Sequence, residues 1–484
     1  AAVRAVAIDI LGAGSELGPG GQFPAGGFDS LSAVELANRA GEALGLTLPG
    51  TLVFDYPSVS AIVEFVASKQ APKMPITASR TVAKRLESSS QLGHPFLLAV
   101  QLAARMPGSG EIRATADATS IVPLERWDLE APRQGKLPPR ARFANWLNDV
   151  AAFDAALFAL TTTEAEIMDP QQRLLLEVSW QAVAGARPDV GDGNTAVYVG
   201  IQQMEYGGQA APHVPAMGAF AATSTPFSVA AGRLSFAHGF VGPAVSIDTA
   251  CSSAMVAVHS SAMHLRRRGG TALSAGINLM LAERTTAAAQ VAGMLTADGR
   301  CKALDASADG YGRAEACVVL HLADAGDDLG VGAALILHAT FINQDGRSSS
   351  LTAPNGPAQQ RVIRGALEEA GAAAAEIAAL EMHGTGTALG DPIEVGAASA
   401  VLGGGTVPLR LSAAKSRLGH GEPAAASIGF VQAAAMLGAR ATRAVLHLRR
   451  VNAHVASTFD ERAADGRGGQ FVAREDGPAA PIVG

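Results

Sequence analysis

Residues 69–93 carry two prolines, scattered lysines and arginines and a serine triplet, and almost nothing to bury. A stretch of that composition cannot repay the entropy of ordering itself and reads as a linker. It divides the chain into two units, and each must build its own core. The first 68 residues suffice for a three- or four-helix bundle with a small core. Residues 94–484 have the length of a large layered domain.

Within the small unit, Asp29 and Ser30 precede the segment L-S-A-V-E-L-A-N-R-A-G-E-A-L-G. Leu31, Val34, Ala37 and Leu44 fall near one face of a helix, and Gly45 ends it. A second apolar segment, Val59 to Val66, follows Pro57. Asp29 and Ser30 have an ordinary use as helix caps.

In the large unit, strand-like runs alternate with helix-like stretches. Thr195–Ile201, Val241–Ile247, Ala333–Ala339 and Leu409–Ser412 predict strands, and Cys251–Arg268 predicts a helix. The alternation indicates an α/β layered domain. Hydrophobic residues make up 48% and charged residues 17% of the chain, a globular balance. The net charge of −7 lacks the basic excess that nucleic-acid binding needs, so no nucleic-acid partner is expected. No apolar run reaches the roughly 18 residues of a membrane span. Three widely spaced cysteines, Cys251, Cys301 and Cys317, argue for a reducing compartment rather than a disulfide framework. An intracellular, cytoplasmic setting is therefore expected. The chain begins with Ala, shows no targeting pattern and reads as an excerpt of something longer.

The sharpest local signal is S-I-D-T-A-C-S-S-A-M-V-A-V-H, residues 246–259. A strand ends at Asp248, and a short turn puts Cys251 at the start of an apolar helix. The positive end of a helix favours thiolate over thiol, which would activate a nucleophile. Two histidines stand in Gly-rich turns: His383 in E-M-H-G-T-G-T-A-L-G-D-P-I-E and His420 in K-S-R-L-G-H-G-E-P-A-A-A. One Cys/His pair suffices for acyl transfer, and a second His suggests a further charge to stabilise. Lys415 and Glu422 flank His420 and can pair. Cys301 and Cys317 read as structural, and Arg266–Arg268 as a helix C-terminal run that complements the dipole. There is no phosphate loop, no paired-Cys metal spacing and no G-x-S-x-G elbow, so no metal site is expected.

Several of these motifs stand together in a recognisable order. They are V-P-L-E-R-W-D at 122–128, M-D-P-Q-Q-R-L-L-L-E at 168–177, D-T-A-C-S-S at 248–253, and D-G-R-C-K-A-L-D-A-S-A-D-G-Y-G-R at 298–313. N-Q-D-G at 343–346, H-G-T-G-T at 383–387 and the stretch from Lys415 to His420 follow. In this respect residues 94–484 resemble the β-ketoacyl synthase (ketosynthase) domain of modular type I polyketide synthases. Residues 1–68, with Gly27-Phe28-Asp29-Ser30-Leu31 and L-V-F-D-Y-P at 52–57, resemble the acyl carrier protein of the same systems. The sequence departs from the usual ketosynthase pattern at Arg417, Gly421, Pro423 and Ala426.

The resemblance implies a small all-α carrier bundle followed by a thiolase fold, two βαβ-type halves stacked as five αβαβα layers, in a homodimer. It implies a Cys-His-His site of Cys251, His383 and His420, with Lys415 paired to Glu422 to order it. It implies chain extension by decarboxylative condensation of an acyl-Cys251 thioester with a malonyl-type extender on a carrier protein, alongside other modules of a synthase. The alternative is a non-condensing segment that acts as carrier, scaffold or chain-transfer unit. A cysteine hydrolase would use one His and an Asn or Asp orienter, and the paired His disfavours it. The resemblance also implies a domain truncated at its C-terminus, with the family's Gly-Phe-Gly oxyanion loop beyond Gly484. Finally, it implies 4'-phosphopantetheine on Ser30, attached by a phosphopantetheinyl transferase. The expected outcome is one mass increment of a pantetheine arm on the wild type and none on Ser30→Ala, read by intact-mass measurement. An equal gain in both would refute the assignment.

Overall fold

The computed structural model describes residues 2–11, 17, 21–23, 30–46, 48–70, 98–108, 117–131, 141–184, 193–203, 205–210, 220–324, 335–348, 350, 352–403, 408–464 and 471–472. Four helices form the N-terminal unit: α1 (Ala2–Leu11), α2 (Ser30–Leu44), α3 (Leu52–Asp55) and α4 (Val59–Gln70). Their apolar faces meet in one cluster that includes Val3, Ala7, Leu36, Ala40, Leu52, Ile62 and Val66. Ala37 belongs to that cluster and Leu44 packs against it, as the helical spacing predicts. The side chains of Leu31 and Val34 lie outside the described residues. α4 runs on to Gln70, two residues into the stretch read as a linker, and residues 71–93 of that stretch lie outside the description. The bundle meets the large domain where Asp55 accepts a hydrogen bond (3.3 Å) from the N–H of Gly356.

Eleven strands are described. They are β1 (Leu98–Arg105), β2 (Ser120–Ile121), β3 (Phe143–Ala144), β4 (Ala196–Gly200), β5 (Ala244–Ile247), β6 (Thr271–Asn278), β7 (Ala316–Asp324), β8 (Leu335–Leu337), β9 (Ala379–Glu381), β10 (Leu409–Ser412) and β11 (Phe471–Val472). One sheet runs in the order β5-β4-β6-β7-β1-β8, a second runs β11-β10-β9, and β2 pairs with β3. β5, β4 and β6 are parallel, whereas β7 is antiparallel to both β6 and β1.

The alternation of side chains along each strand assigns the two faces of the large sheet. Val197, Val199, Leu273, Ala275, Ile277, Cys317 and Val319 pack on one side, against helices Pro170–Ala184 and Phe227–His238. Ala196, Ala272, Ala316, Val318 and Leu320 face the other, against helices Ser253–Arg268 and Ala425–Ala439. Helix Ala425–Ala439 also contacts β9, so these two helices form the middle layer between the sheets. Beyond the second sheet, Val395, Leu402 and Val455 close a further cluster with Leu409 and Leu411, with Ile363 and Leu367 packed against it. The result is the five-layer αβαβα stack.

Strand Leu409–Ser412 falls where its pattern predicts it, and Thr195–Ile201 and Val241–Ile247 are each trimmed. Of Ala333–Ala339, Leu335–Leu337 forms the strand, while residues 333 and 334 lie outside the description. Among the described residues no helix is long and apolar enough to cross a membrane.

Candidate active site

Cys251 lies just beyond β5, in the turn that opens helix Ser253–Arg268. The helix begins two residues later than the sequence pattern predicts, with Ser252 as its N-cap residue. The turn is tied to itself: Thr249 N–H donates to Ser253 Oγ (2.8 Å), Ser252 Oγ to the Thr249 carbonyl (2.8 Å), and Ala250 N–H to Asp248 Oδ1 (3.0 Å). Ala250 takes a φ of +54°, a strained conformation for a residue with a Cβ. At the end of β4, a Cβ on Gly200 would meet the Ala254 nitrogen at 2.6 Å, so only glycine lets the helix start this close to the sheet.

The electrostatics of Cys251 correct the sequence-based expectation of a thiolate. Burial pushes its thiol pKa up, and the Lys415 ammonium offsets this only in part. Removal from water disfavours the charged form by more than the nearby cation restores. Burial pushes Cys301 further, to about 12, and Cys317 is also raised. Cys251 is partly exposed, while Cys301 and Cys317 are buried.

His383 lies just beyond the C-terminal end of β9, and His420 follows the short helix Lys415–Leu418 that comes after β10. The H-G-T-G-T loop is held by two carboxylates of helix Gly390–Leu402. Glu394 accepts from the N–H groups of His383 (2.5 Å) and Gly384 (2.8 Å), and Asp391 accepts from Gly386 N–H (3.2 Å). Gly386 has φ +76°, and a Cβ there would meet the Lys302 nitrogen at 2.5 Å. His420 donates its N–H to the Gly312 carbonyl (2.7 Å), and its carbonyl accepts from Ala314 N–H (2.8 Å). Its Nδ1 accepts from the N–H of Glu422 (2.9 Å). A neutral imidazole bonded in that way carries its proton on Nε2, as a donor.

The structure brings Cys251, His383 and His420 together. One ligand-type atom from each, the sulfur and two ring nitrogens, lies within 4.8 Å of the others. The two imidazoles stand perpendicular, with centroids 5.5 Å apart. Tyr311 covers His420 at 4.8 Å. His383 is open to solvent on one side, yet burial and then Lys415 push its pKa down to about 3. Burial, Lys415, His383 and Arg313 lower His420 well below its ordinary value. Both rings are therefore neutral at pH 7.

Lys415 and Glu422 do not form the expected pair. Among the described residues the ion pair of Glu422 is with Arg313, at 2.7 Å. A guanidinium fork matches both carboxylate oxygens, which a single ammonium does not. Lys415 instead is buried, and its positive charge acts on the cysteine and both histidines. Sequence reasoning missed Arg313 and Glu394, although both lie inside quoted motifs. Pro423 sits in the first turn of a short helix, Glu422–Ala424, where a missing N–H costs nothing. Arg417 is buried with its Nη2 on the Ala444 carbonyl. Ser30 is the first residue of α2, while Asp29 lies outside the described residues.

Brief alkylation with iodoacetamide should label Cys251 before Cys301 or Cys317, as peptide mapping will show. Because the thiol is raised, the labelling rate should keep climbing as pH rises above neutrality. Labelling already at its plateau at pH 7, or Cys301 reacting first, would contradict this assignment.

Three family models match the chain. The model described as phosphopantetheine attachment site matches residues 1–66. Those described as beta-ketoacyl synthase, N-terminal domain and C-terminal domain match residues 109–327 and 334–449. Polyketide synthase GfsB of Streptomyces halstedii is 38% identical over 473 residues, covering 92% of this chain but 8% of its own length. The pikromycin polyketide synthase component PikAII of Streptomyces venezuelae is 39% identical, with 84% of this chain and 11% of its own length covered. The chain thus spans only a small part of these relatives. Among solved structures, the oxazolomycin ketosynthase domain OzmH KS7 of Streptomyces albus JA3453 superposes with a TM-score of 0.71 at 29% identity, covering 80% of this chain and 69% of that one. The ketosynthase from module 6 of the bacillaene synthase of Bacillus subtilis 168 gives 0.66 at 30% identity, covering 74% and 64%. With a carrier model on its first residues and both synthase models following in order on a thiolase-like core, the chain belongs to the β-ketoacyl synthase family, as a carrier-plus-ketosynthase segment of the modular type I polyketide synthase kind.

Proposed function

We propose that this chain extends a polyketide by decarboxylative Claisen condensation, and that Cys251, His383 and His420 carry the reaction. The observation that bears most weight is the convergence of one thiol and two neutral imidazoles within 4.8 Å. In the first step the Cys251 sulfur attacks an incoming acyl thioester. The acyl group moves to Sγ, and the thiol proton leaves with the departing carrier thiol. In the second step a malonyl-type thioester, itself on a carrier protein, places its carbonyl oxygen at the two rings. His420 offers Nε2–H, the proton position that its bond from Glu422 N–H supports. As CO₂ departs, its electron pair forms an enolate, and two fixed donors aimed at that oxygen stabilise it. The enolate carbon attacks the acyl carbonyl, a C–C bond forms, and the S–C bond to Cys251 breaks with its electron pair on sulfur, which takes a proton from solvent to restore the thiol. Neutral rings suit this role, since they donate without requiring a buried charge.

The proposed carrier unit spans residues 1–68 and the ketosynthase begins near residue 94. Phosphopantetheine on Ser30, added by a phosphopantetheinyl transferase, would supply the thiol that carries the chain between sites. Other modules of a synthase would supply and receive acyl groups, and the extender would be loaded elsewhere.

A homodimer is also proposed. β5 forms the edge of the six-stranded sheet, and Val245 on it, Val241 before it and nearby Phe236 are exposed. An apolar unpaired edge is a template for a second strand, and a second copy of β5 supplies one.

His383→Ala or His420→Ala should lower CO₂ release by about 10²–10³-fold while acyl transfer onto Cys251 continues. Condensation by His383→Ala at the wild-type rate would show the mechanism to be wrong. Val245→Asp should convert the protein to a monomer in light scattering. A dimer of unchanged mass would exclude the β5 edge as the interface.

A further inference from the structure

His420 is carried by a loop rather than a regular element, and its neighbours across that loop are Gly312 and Ala314. Arg313, between them, turns its side chain into the protein and is almost fully buried. Its Nε and Nη2 donate to the two carboxylate oxygens of Glu422, at 2.8 and 2.7 Å. Its Nη1 donates to the hydroxyls of Thr286 (2.5 Å) and Thr285 (3.3 Å). Three nitrogens of the guanidinium are therefore fixed. Glu422 meanwhile occupies φ +47°, a left-handed conformation that disfavours a side chain. In that conformation its N–H reaches back to His420 Nδ1. A residue held against its backbone preference needs something outside the backbone to hold it. The only ion pair of Glu422 among the described residues is the one to Arg313.

We propose that the Arg313–Glu422 ion pair is a positioning device: it locks Glu422 in the left-handed turn, and the locked N–H fixes His420 with its proton on Nε2, facing the developing enolate. Arg313 and Glu422 need touch no substrate in this scheme. The inference rests on the condensation reading for its purpose, but the protonation pattern of His420 can be read without turnover.

Other charged and titratable groups act on the same ring. Lys415, His383 and Arg313 all disfavour its protonation, and Cys251, Tyr311 and Glu422 surround it. The device is therefore tested by where the ring proton sits, not by whether the ring is charged.

The test uses the full chain with Arg313→Met, Glu422→Gln, the double variant, and Arg313→Lys. Each single neutral substitution strands a buried partner and can lower stability for that reason alone. The double variant removes both charges and should melt close to the wild type. Its ring-¹⁵N spectrum should lose the pure Nε2–H pattern of His420. CO₂ release from a malonyl thioester should fall about tenfold or more, with acyl transfer onto Cys251 within about twofold of wild type. Arg313→Lys keeps the charge but not the fork, and should show the same split in milder form. A double variant or Arg313→Lys that keeps the Nε2–H pattern and full CO₂ release overturns the proposal. So does an equal loss of both half-reactions, the mark of a merely structural pair. If wild type itself releases no CO₂, the condensation reading fails, while the ¹⁵N pattern still decides this one.

Discussion

Two backbone hydrogen bonds tie His420 to the first half of the domain, one from His420 N–H to Gly312 and one from Ala314 N–H back to His420. Gly312 and Ala314 lead directly into β7 of the large sheet, whereas His420 lies beyond β10 of the second sheet and the short helix Lys415–Leu418 that follows it. The pair therefore joins the two halves of the domain at the point where chemistry is concentrated. Cys251 comes from the first half and both histidines from the second, so a shift between halves would open the cluster. Backbone bonds suit this task because they cannot be lost by rotation of a side chain, and breaking them would strand buried polar groups.

Around that seam, charge is used sparingly. Lys415 is the cation whose field reaches the cysteine and both imidazoles. Burial does most to lower the two imidazoles and Lys415 adds to it, while the same cation draws the thiol part of the way back from the rise that burial imposes. A fixed neutral donor pair can meet developing negative charge without reorganising, which is where such sites gain most of their effect. The Arg313–Glu422 pair sits one layer back and neutralises itself. The carboxylates Glu394 and Asp391 bind backbone N–H groups of the H-G-T-G-T loop, so they shape the site without facing it.

Much of this was readable before any coordinates. Strand Leu409–Ser412, the helix after Cys251 and the carrier helix from Ser30 follow from local periodicity, which depends only on near neighbours. The Cys-His-His trio was marked by glycine-rich turns and by motif order. What could not be read depends on distance in the fold. Arg313 and Glu422 lie 109 residues apart and meet only when the halves close, whereas Lys415 is the cation that stands near Glu422 in sequence. The acidity of Cys251 turned on how much protein surrounds it, and a helix start alone carries no such information. Nothing in an alanine or a glutamate announces the left-handed turns at Ala250 and Glu422, because they are imposed by tertiary contacts.

The most direct measurement of the central claim is isotopic. Enzyme carrying an acyl group on Cys251 is mixed with a carrier-bound malonyl thioester labelled in its free carboxyl carbon. Labelled CO₂ and β-ketoacyl product are then counted in the same reaction. The account predicts one labelled CO₂ for each product, with Cys251 returned to free thiol at the same rate. Product that retains the label, or CO₂ released without loss of acyl from Cys251, would contradict it.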